Sequence, residues 1–213
     1  MSFFDDLPAR PERPRQPKPV PPVWAGPPSD ELPAVVSLGQ FFHRSAQMVM
    51  AAKSVEVFST GCLIEVVWSV RRADESDSDW SRVIDQCFNR GPYRLDSDNG
   101  RGGALRFGVA FPDGRKTTTA QLHPGMFEGE EPVTGPVLMS AGGGGGSSND
   151  DELFCSNKFW LWPLPLGGDT RVVAQWEDLG LKEESVLITG EQLGTAAANV
   201  QKYWVTPLPE PGG

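Results

Sequence analysis

The chain has 213 residues, enough for one sizeable domain, and a 38% hydrophobic share with seven Trp and eleven Phe is sufficient for a core. A net charge of −9 and a pI near 4.7 set a field that repels phosphate backbones and anionic bilayers, so nucleic acid and membrane surfaces are poor partners. Three cysteines at long spacings, with no CxxC pair and no Cys/His cluster, suggest neither a disulfide framework nor zinc, and fit a cytoplasmic protein.

Residues 1–31 are expected to form a disordered, proline-rich tail. Its start, Met1-Ser2-Phe3-Phe4-Asp5-Asp6, has acids where a signal peptide needs basic residues, and no apolar stretch follows, so secretion by that route is not expected. Two aromatics, two acids and a leucine make up Phe3, Phe4, Asp5, Asp6 and Leu7. Short peptides of this kind dock apolar side chains into basic-rimmed grooves, so these five residues are candidate contacts for a protein partner. From residue 8 to 28 prolines recur at positions 8, 11, 14, 17, 19, 21, 22, 27 and 28. Each removes an amide donor and biases its predecessor away from helix. The segment reads as a polyproline II spacer of about 3.1 Å per residue, solvated by Arg10, Arg13, Arg15 and Lys18.

A single domain is expected over residues 32–206, with a disordered end at 207–213. Ala34-Val35-Val36-Ser37-Leu38 predicts a short strand or turn. Val55 and Val57 alternate with Glu56 and Phe58 up to a turn at Thr60-Gly61, and residues 63–71 form a second run, so the two read as a long antiparallel hairpin. The most apolar window, residues 62–70, is interrupted by Glu65 and falls short of the roughly 20 residues needed to span a bilayer. After an acidic loop at residues 74–79, Trp80, Val83, Ile84, Cys87 and Phe88 fall at helical spacing and predict one amphipathic helix. A second hairpin is predicted from residues 105–111 through Pro112-Asp113-Gly114 to residues 115–121.

Further strands are predicted at 137–141, 153–162, 170–177 and 186–188. Thr189 stands three residues before Gln192, a capping-box spacing, and Leu193, Ala196, Ala197, Val200 and Trp204 make the stripe of a C-terminal helix. Many short strands joined by hairpins, without strand–helix alternation, predict a mainly β fold. The expected architecture is an antiparallel β-sandwich with one short central helix and a C-terminal helix, a partly closed barrel being the alternative.

The chemistry is sparse. The tract Gly142-Gly143-Gly144-Gly145-Gly146-Ser147-Ser148 lacks the lysine and following helix of a phosphate-binding loop, and Asn149-Asp150-Asp151-Glu152 brings carboxylates instead, so it reads as a flexible strand connection. Asp96-Ser97-Asp98-Asn99-Gly100 departs from the calcium-loop pattern at the sixth position, Arg101, and the twelfth, Phe107. Asp74, Asp77 and Asp79 would need to converge with Asp96 and Asp98, or with Asp150 and Asp151, to hold a metal ion. His43 and His123 are the only histidines, and no nucleophile motif accompanies them. No catalytic residue and no cofactor is assigned.

In Phe159-Trp160-Leu161-Trp162 a strand sends Trp160 and Trp162 to one face and Phe159 and Leu161 to the other. Core packing accounts for both faces, and an aromatic platform for a partner is the alternative for Trp160 and Trp162. The tail, the Ser59-Thr60-Gly61 turn, the polyglycine-Ser tract, Phe-Trp-Leu-Trp-Pro-Leu-Pro at 159–165 and an Ala-rich stretch ending in Tyr203-Trp204 together resemble an uncharacterised group of actinobacterial proteins. That resemblance implies a bacterial cytoplasmic protein and brings no assigned activity. The functional expectation is a non-enzymatic binding or assembly module for another protein. Its alternative is a metal-dependent hydrolase or other enzyme using the loop carboxylates.

Overall fold

The computed structural model describes residues 21–88, 105–119, 132–142 and 145–205. The candidate peptide at Phe3 to Leu7, most of the proline spacer, Asp96, Asp98, His123 and the end at 207–213 lie outside the described residues.

In chain order the strands are β1 (Glu31–Leu32), β2 (Ala34–Arg44), β3 (Met48–Val57) and β4 (Cys62–Arg71). Helix α1 (Asp77–Phe88) follows, then β5 (Arg106–Ala110), β6 (Lys116–Thr118), β7 (Val137–Gly142), β8 (Gly146–Ser148), β9 (Glu152–Trp162) and β10 (Thr170–Trp176). A 3-10 turn at Glu177–Leu179 leads into β11 (Leu181–Ile188), helix α2 (Gly190–Ala197) and β12 (Gln201–Lys202). All strand pairings are antiparallel. One sheet runs β2-β3-β4-β9-β7, with β8 also on β9; a second runs β11-β10-β5-β6; β1 and β12 form a small third pair. This is the expected β-sandwich with two helices.

The two large sheets share one core, because alternation sends every second side chain inward. Met50, Ile64, Val66, Trp68 and Leu161 from the first sheet meet Phe107, Val172, Trp176 and Ile188 from the second. Phe107 lies against Phe159 with ring centroids 4.6 Å apart and against Trp68 at 6.2 Å, tilted contacts that add to the area each ring buries. Trp80, Val83 and Cys87 of α1 and Leu193 and Ala196 of α2 complete the same core.

The sandwich comes close to a ring. Strand β11 runs beside β2, and β6 lies beside β7. At the first seam the Gln40 side chain stands in for a ladder: its Nε2 donates to Leu187 O at 2.8 Å, and its Oε1 accepts from Leu187 N at 3.2 Å. Edge backbone groups that would otherwise face solvent are thereby satisfied.

Several elements differ from the sequence expectation. Strand β2 spans 11 residues rather than five: alternation continues without a break through Gly39, at φ +59°, so that Val36, Leu38 and Phe42 turn inward and Val35 and Phe41 outward, while its pairing with β3 shifts register between Ser37 and Gln40 and again between Phe41 and His43. Strand β11 begins five residues before the predicted start; its first half, Lys182-Glu183-Glu184-Ser185, is exposed and polar and carries no apolar alternation. The end of the glycine tract, residues 145–148, lies along a strand edge: Ser156 N donates to Gly145 O at 2.7 Å, and β8 continues alongside β9. Helix α2 starts at the predicted capping box, with Gln192 N donating to the Thr189 hydroxyl, but stops at Ala197. Asn199 Nδ2 donates to Thr195 O, and the chain leaves as β12, so Val200 and Trp204 never join a helical stripe.

Candidate binding surfaces

The two ends of the folded body leave from one place. Strand β1 pairs with β12, Glu31 opposite Lys202 and Leu32 opposite Gln201, and Tyr203 N donates to Asp30 O. Alternation puts Glu31 and Lys202 on the face toward the body and Leu32 and Tyr203 on the other. Glu31 is only 3% exposed, and its carboxylate accepts from Ser59 N at 2.9 Å, Ser59 Oγ at 2.6 Å and Lys202 Nζ at 2.9 Å. Burial alone raises the Glu31 pKa, but the Ser59 and Lys202 hydrogen bonds outweigh it and hold the carboxyl below its ordinary value. Lys202, shared between Asp30 and Glu31, is raised in turn, mainly by those two hydrogen bonds. Two half-exposed apolar side chains stand on the outward side beside Gln201, Leu32 at 47% and Tyr203 at 52%, and past the end of β12 Trp204 is 74% exposed and Val205 fully.

The outer face of the six-stranded sheet carries the aromatic pair singled out in the sequence. Phe159 and Leu161 point into the main core, while Trp160 joins Phe58 and Leu63, flanked by Met139 and Trp162, in a second cluster. Trp160 is completely covered, which removes it from any partner-binding surface; Trp162 is half-buried. The covering is tight: Phe58 meets Trp160 edge-on at 5.8 Å, and Gly61 lies so close that a Cβ there would sit 2.5 Å from Leu161 O and 2.7 Å from the indole. The Trp160 indole N–H meets no acceptor among the described residues. Beside this cluster runs a polar belt in which Lys158 pairs with Glu56 and Lys53 with Glu65.

The acidic loops come together at the opposite end of β9. Arg72 ties them: its N donates to Asp151 O, its Nη1 to Asp150 O at 3.5 Å, and its Nη2 to Asp77 Oδ1 at 2.6 Å. The Trp80 indole of α1 donates to Asn149 O at 3.1 Å. Asp77 and Asp79 are thus held in helix-start contacts, Asp79 by Arg82 and the Ser76 hydroxyl, as the positive end of α1 favours. Among the described residues no three His, Cys, Asp or Glu side chains converge on a point that would hold a metal ion. The two other partners of that expectation, Asp96 and Asp98, fall outside the described residues.

The cysteines sit inside: Cys62, Cys87 and Cys155 are all free and buried. Burial pushes the Cys62 thiol up to about 12, the reverse of what a nucleophile needs. Cys87 Sγ accepts from the Trp68 indole at 3.5 Å. His43 is half-buried in β2.

Two parts of this picture were missed at the level of sequence. Glu31 sat on the assumed tail boundary, and Tyr203 and Trp204 were read as the end of a helix. Asn199 followed by a β-branched Val200 was the available stop signal. No helix among the described residues is long and apolar enough to cross a membrane. No protein-family model, curated protein or solved structure matches the chain.

Proposed function

We propose that the protein is a non-enzymatic binding or assembly module that works in the cytoplasm, holding another protein through its end surface and through the N-terminal peptide. The observation that carries this reading is the apolar patch at the chain ends. Leu32 and Tyr203 share the outward side of the β1–β12 pair, each about half exposed, and the exposed Trp204 and Val205 follow Tyr203 directly in the chain. Contiguous exposed aromatic and aliphatic side chains are costly to leave wet, and Tyr and Trp are the residues that most often anchor interfaces. The sequence at Phe3 to Leu7 adds apolar and acidic groups on a proline spacer, which would let a second contact reach the same partner with a gain in effective concentration.

The test compares three proteins as bait in native-cell extract: the full chain, a chain lacking residues 1–20, and the double variant Tyr203→Ser, Trp204→Ser. The expected result is a defined partner captured by the full chain, and lost or reduced at least tenfold in one or both variants with melting temperature unchanged. A partner profile identical across all three proteins sinks the proposal.

A further inference from the structure

Among the described residues the sheet edge formed by β8 is unpaired, and it lies at the other end of β9 from the chain-end pairing. In antiparallel pairing the backbone groups of alternate residues face the neighbouring strand. Ser156 N donates to Gly145 O and Asn149 N to Glu152 O, so Gly145, Ser147 and Asn149 face β9. Gly146 and Ser148 therefore turn their N–H and C=O groups away from the sheet. Among the described residues β8 pairs with β9 alone, and all three of its residues are exposed. The neighbouring edge, β7, has β6 beside it. Natural sheets blunt such an edge with lysine, proline, an inward charge or a covering loop, and residues 145–148 contain neither lysine nor proline.

The surroundings select the occupant. Residues 74–79 and 150–152 bring seven carboxylates to this end of the sheet, against Arg71, Arg72 and Arg82. Those arginines are engaged with Glu152, Asp77 and Asp79, which leaves Asp74, Asp150 and Asp151 without a cationic partner among the described residues. A second copy of the chain would bring the same negative end with it, so self-pairing is opposed. On the outer face Phe154 of β9, opposite Ser147, is 48% exposed, and the small serine leaves its ring open to a side chain from an added strand.

We infer that the β8 edge accepts an extended, basic, proline-free segment of another protein as an added antiparallel or parallel strand, with its cations facing the acidic loops and an apolar side chain over Phe154. Backbone pairing to Gly146 and Ser148 supplies the attachment, and charge supplies the choice of partner. The proline-rich tail of the chain itself is basic but lacks amide donors at its prolines, so it is a poor occupant.

The probe is a synthetic octapeptide of alternating Val and Lys with blocked ends, titrated into the full chain at low and physiological salt. The expected result is saturable binding that weakens as salt rises, as screening of exposed charges requires. Ser148→Pro, which removes an outward amide and no inward one, should raise Kd by at least about fivefold, the loss of roughly one backbone hydrogen bond. The same peptide N-methylated at every residue, which leaves neither strand edge a donor, should bind the unaltered protein as weakly, which keeps the test valid if Ser148→Pro perturbs folding. Asp150→Asn with Asp151→Asn should weaken binding and flatten its salt dependence. Equal binding of the N-methylated peptide, or of a peptide of residues 8–28, would show attraction by charge alone and overturn strand addition. No saturation by the Val-Lys peptide, or dimerisation of the protein that Ser148→Pro abolishes, would overturn the proposed occupant.

Discussion

Glu31 shows how much one buried carboxylate holds in this molecule. It joins the first strand, the Ser59 turn and the last strand through three hydrogen bonds, and Lys202 neutralises its charge. Replacing it by Gln keeps the shape but loses the charge-assisted bonds and places an amide donor against either the Ser59 N–H or the ammonium, which bond to different oxygens of Glu31. The expected cost at pH 7 is about 1.5–3 kcal/mol, the range for hydrogen bonds to charged groups. Its pKa is lowered in the fold, so the folded state binds the proton less readily than the unfolded chain does. The Glu31 contribution is therefore complete above the ordinary glutamate pKa of 4.5 and is lost as pH falls below that value through the folded pKa. Urea unfolding of wild type and Glu31→Gln should show a gap at pH 7 that narrows progressively below about pH 4.5. A gap that stays constant down to pH 3 would refute the role given to the carboxylate charge.

Among the elements, the β3–β4 hairpin and its contact with β9 are where the packing is tightest. The turn at Thr60-Gly61 lies directly over the Trp160 ring, and Leu164 N donates to Thr60 O, so the turn is held from both sides. Gly61→Ala would place a methyl against the backbone oxygen of Leu161, which has no rotamer by which to move aside. The turn must shift, at a cost of about 1–3 kcal/mol. Near-ultraviolet circular dichroism should report a changed Trp environment along with the lower midpoint, whereas a change in neither would show that the contact relaxes freely. The hairpins, α1 and the start of α2 were legible in sequence because each is announced locally, by alternation, by i, i+3, i+4 spacing or by a capping box. What was not legible depended on partners far along the chain. The second half of β2 was hidden because Gly39 and the adjacent Phe41 and Phe42 give no apolar–polar alternation in sequence, and the start of β11 by its exposed polar face. The β8 edge was hidden because glycine carries no side-chain pattern and is strand only where a neighbour such as β9 makes it so. The candidate surfaces were legible in part: alternation separates Trp160 and Trp162 from Phe159 and Leu161, but it does not say which face is outer or which outer residues a turn will cover.

At the scale of the whole molecule, the two ends of the described body, β1 and β12, pair with each other outside the two large sheets. On the N-terminal side Asp30 and Glu31, two residues and one residue before the expected domain start, are held to β12 by strand pairing and by Lys202. Two truncations separate a segment that serves binding from one that serves folding. Residues 8–20 carry five prolines and four basic side chains with little apolar surface to bury, so removing residues 1–20 should leave the melting temperature within about 2 °C, a change equivalent to less than 1 kcal/mol in a chain of this size. Removing residues 1–32 deletes β1, leaves Lys202 without either carboxylate partner, and strips the acceptor from the Ser59 amide and hydroxyl. The loss of about 1.5–3 kcal/mol should lower the midpoint by roughly 4–10 °C. Differential scanning fluorimetry on the two truncations decides the matter: equal melting temperatures would mean that the end pairing contributes nothing to stability. The apolar patch beside it would then have no fixed frame on which to present Tyr203 and Trp204.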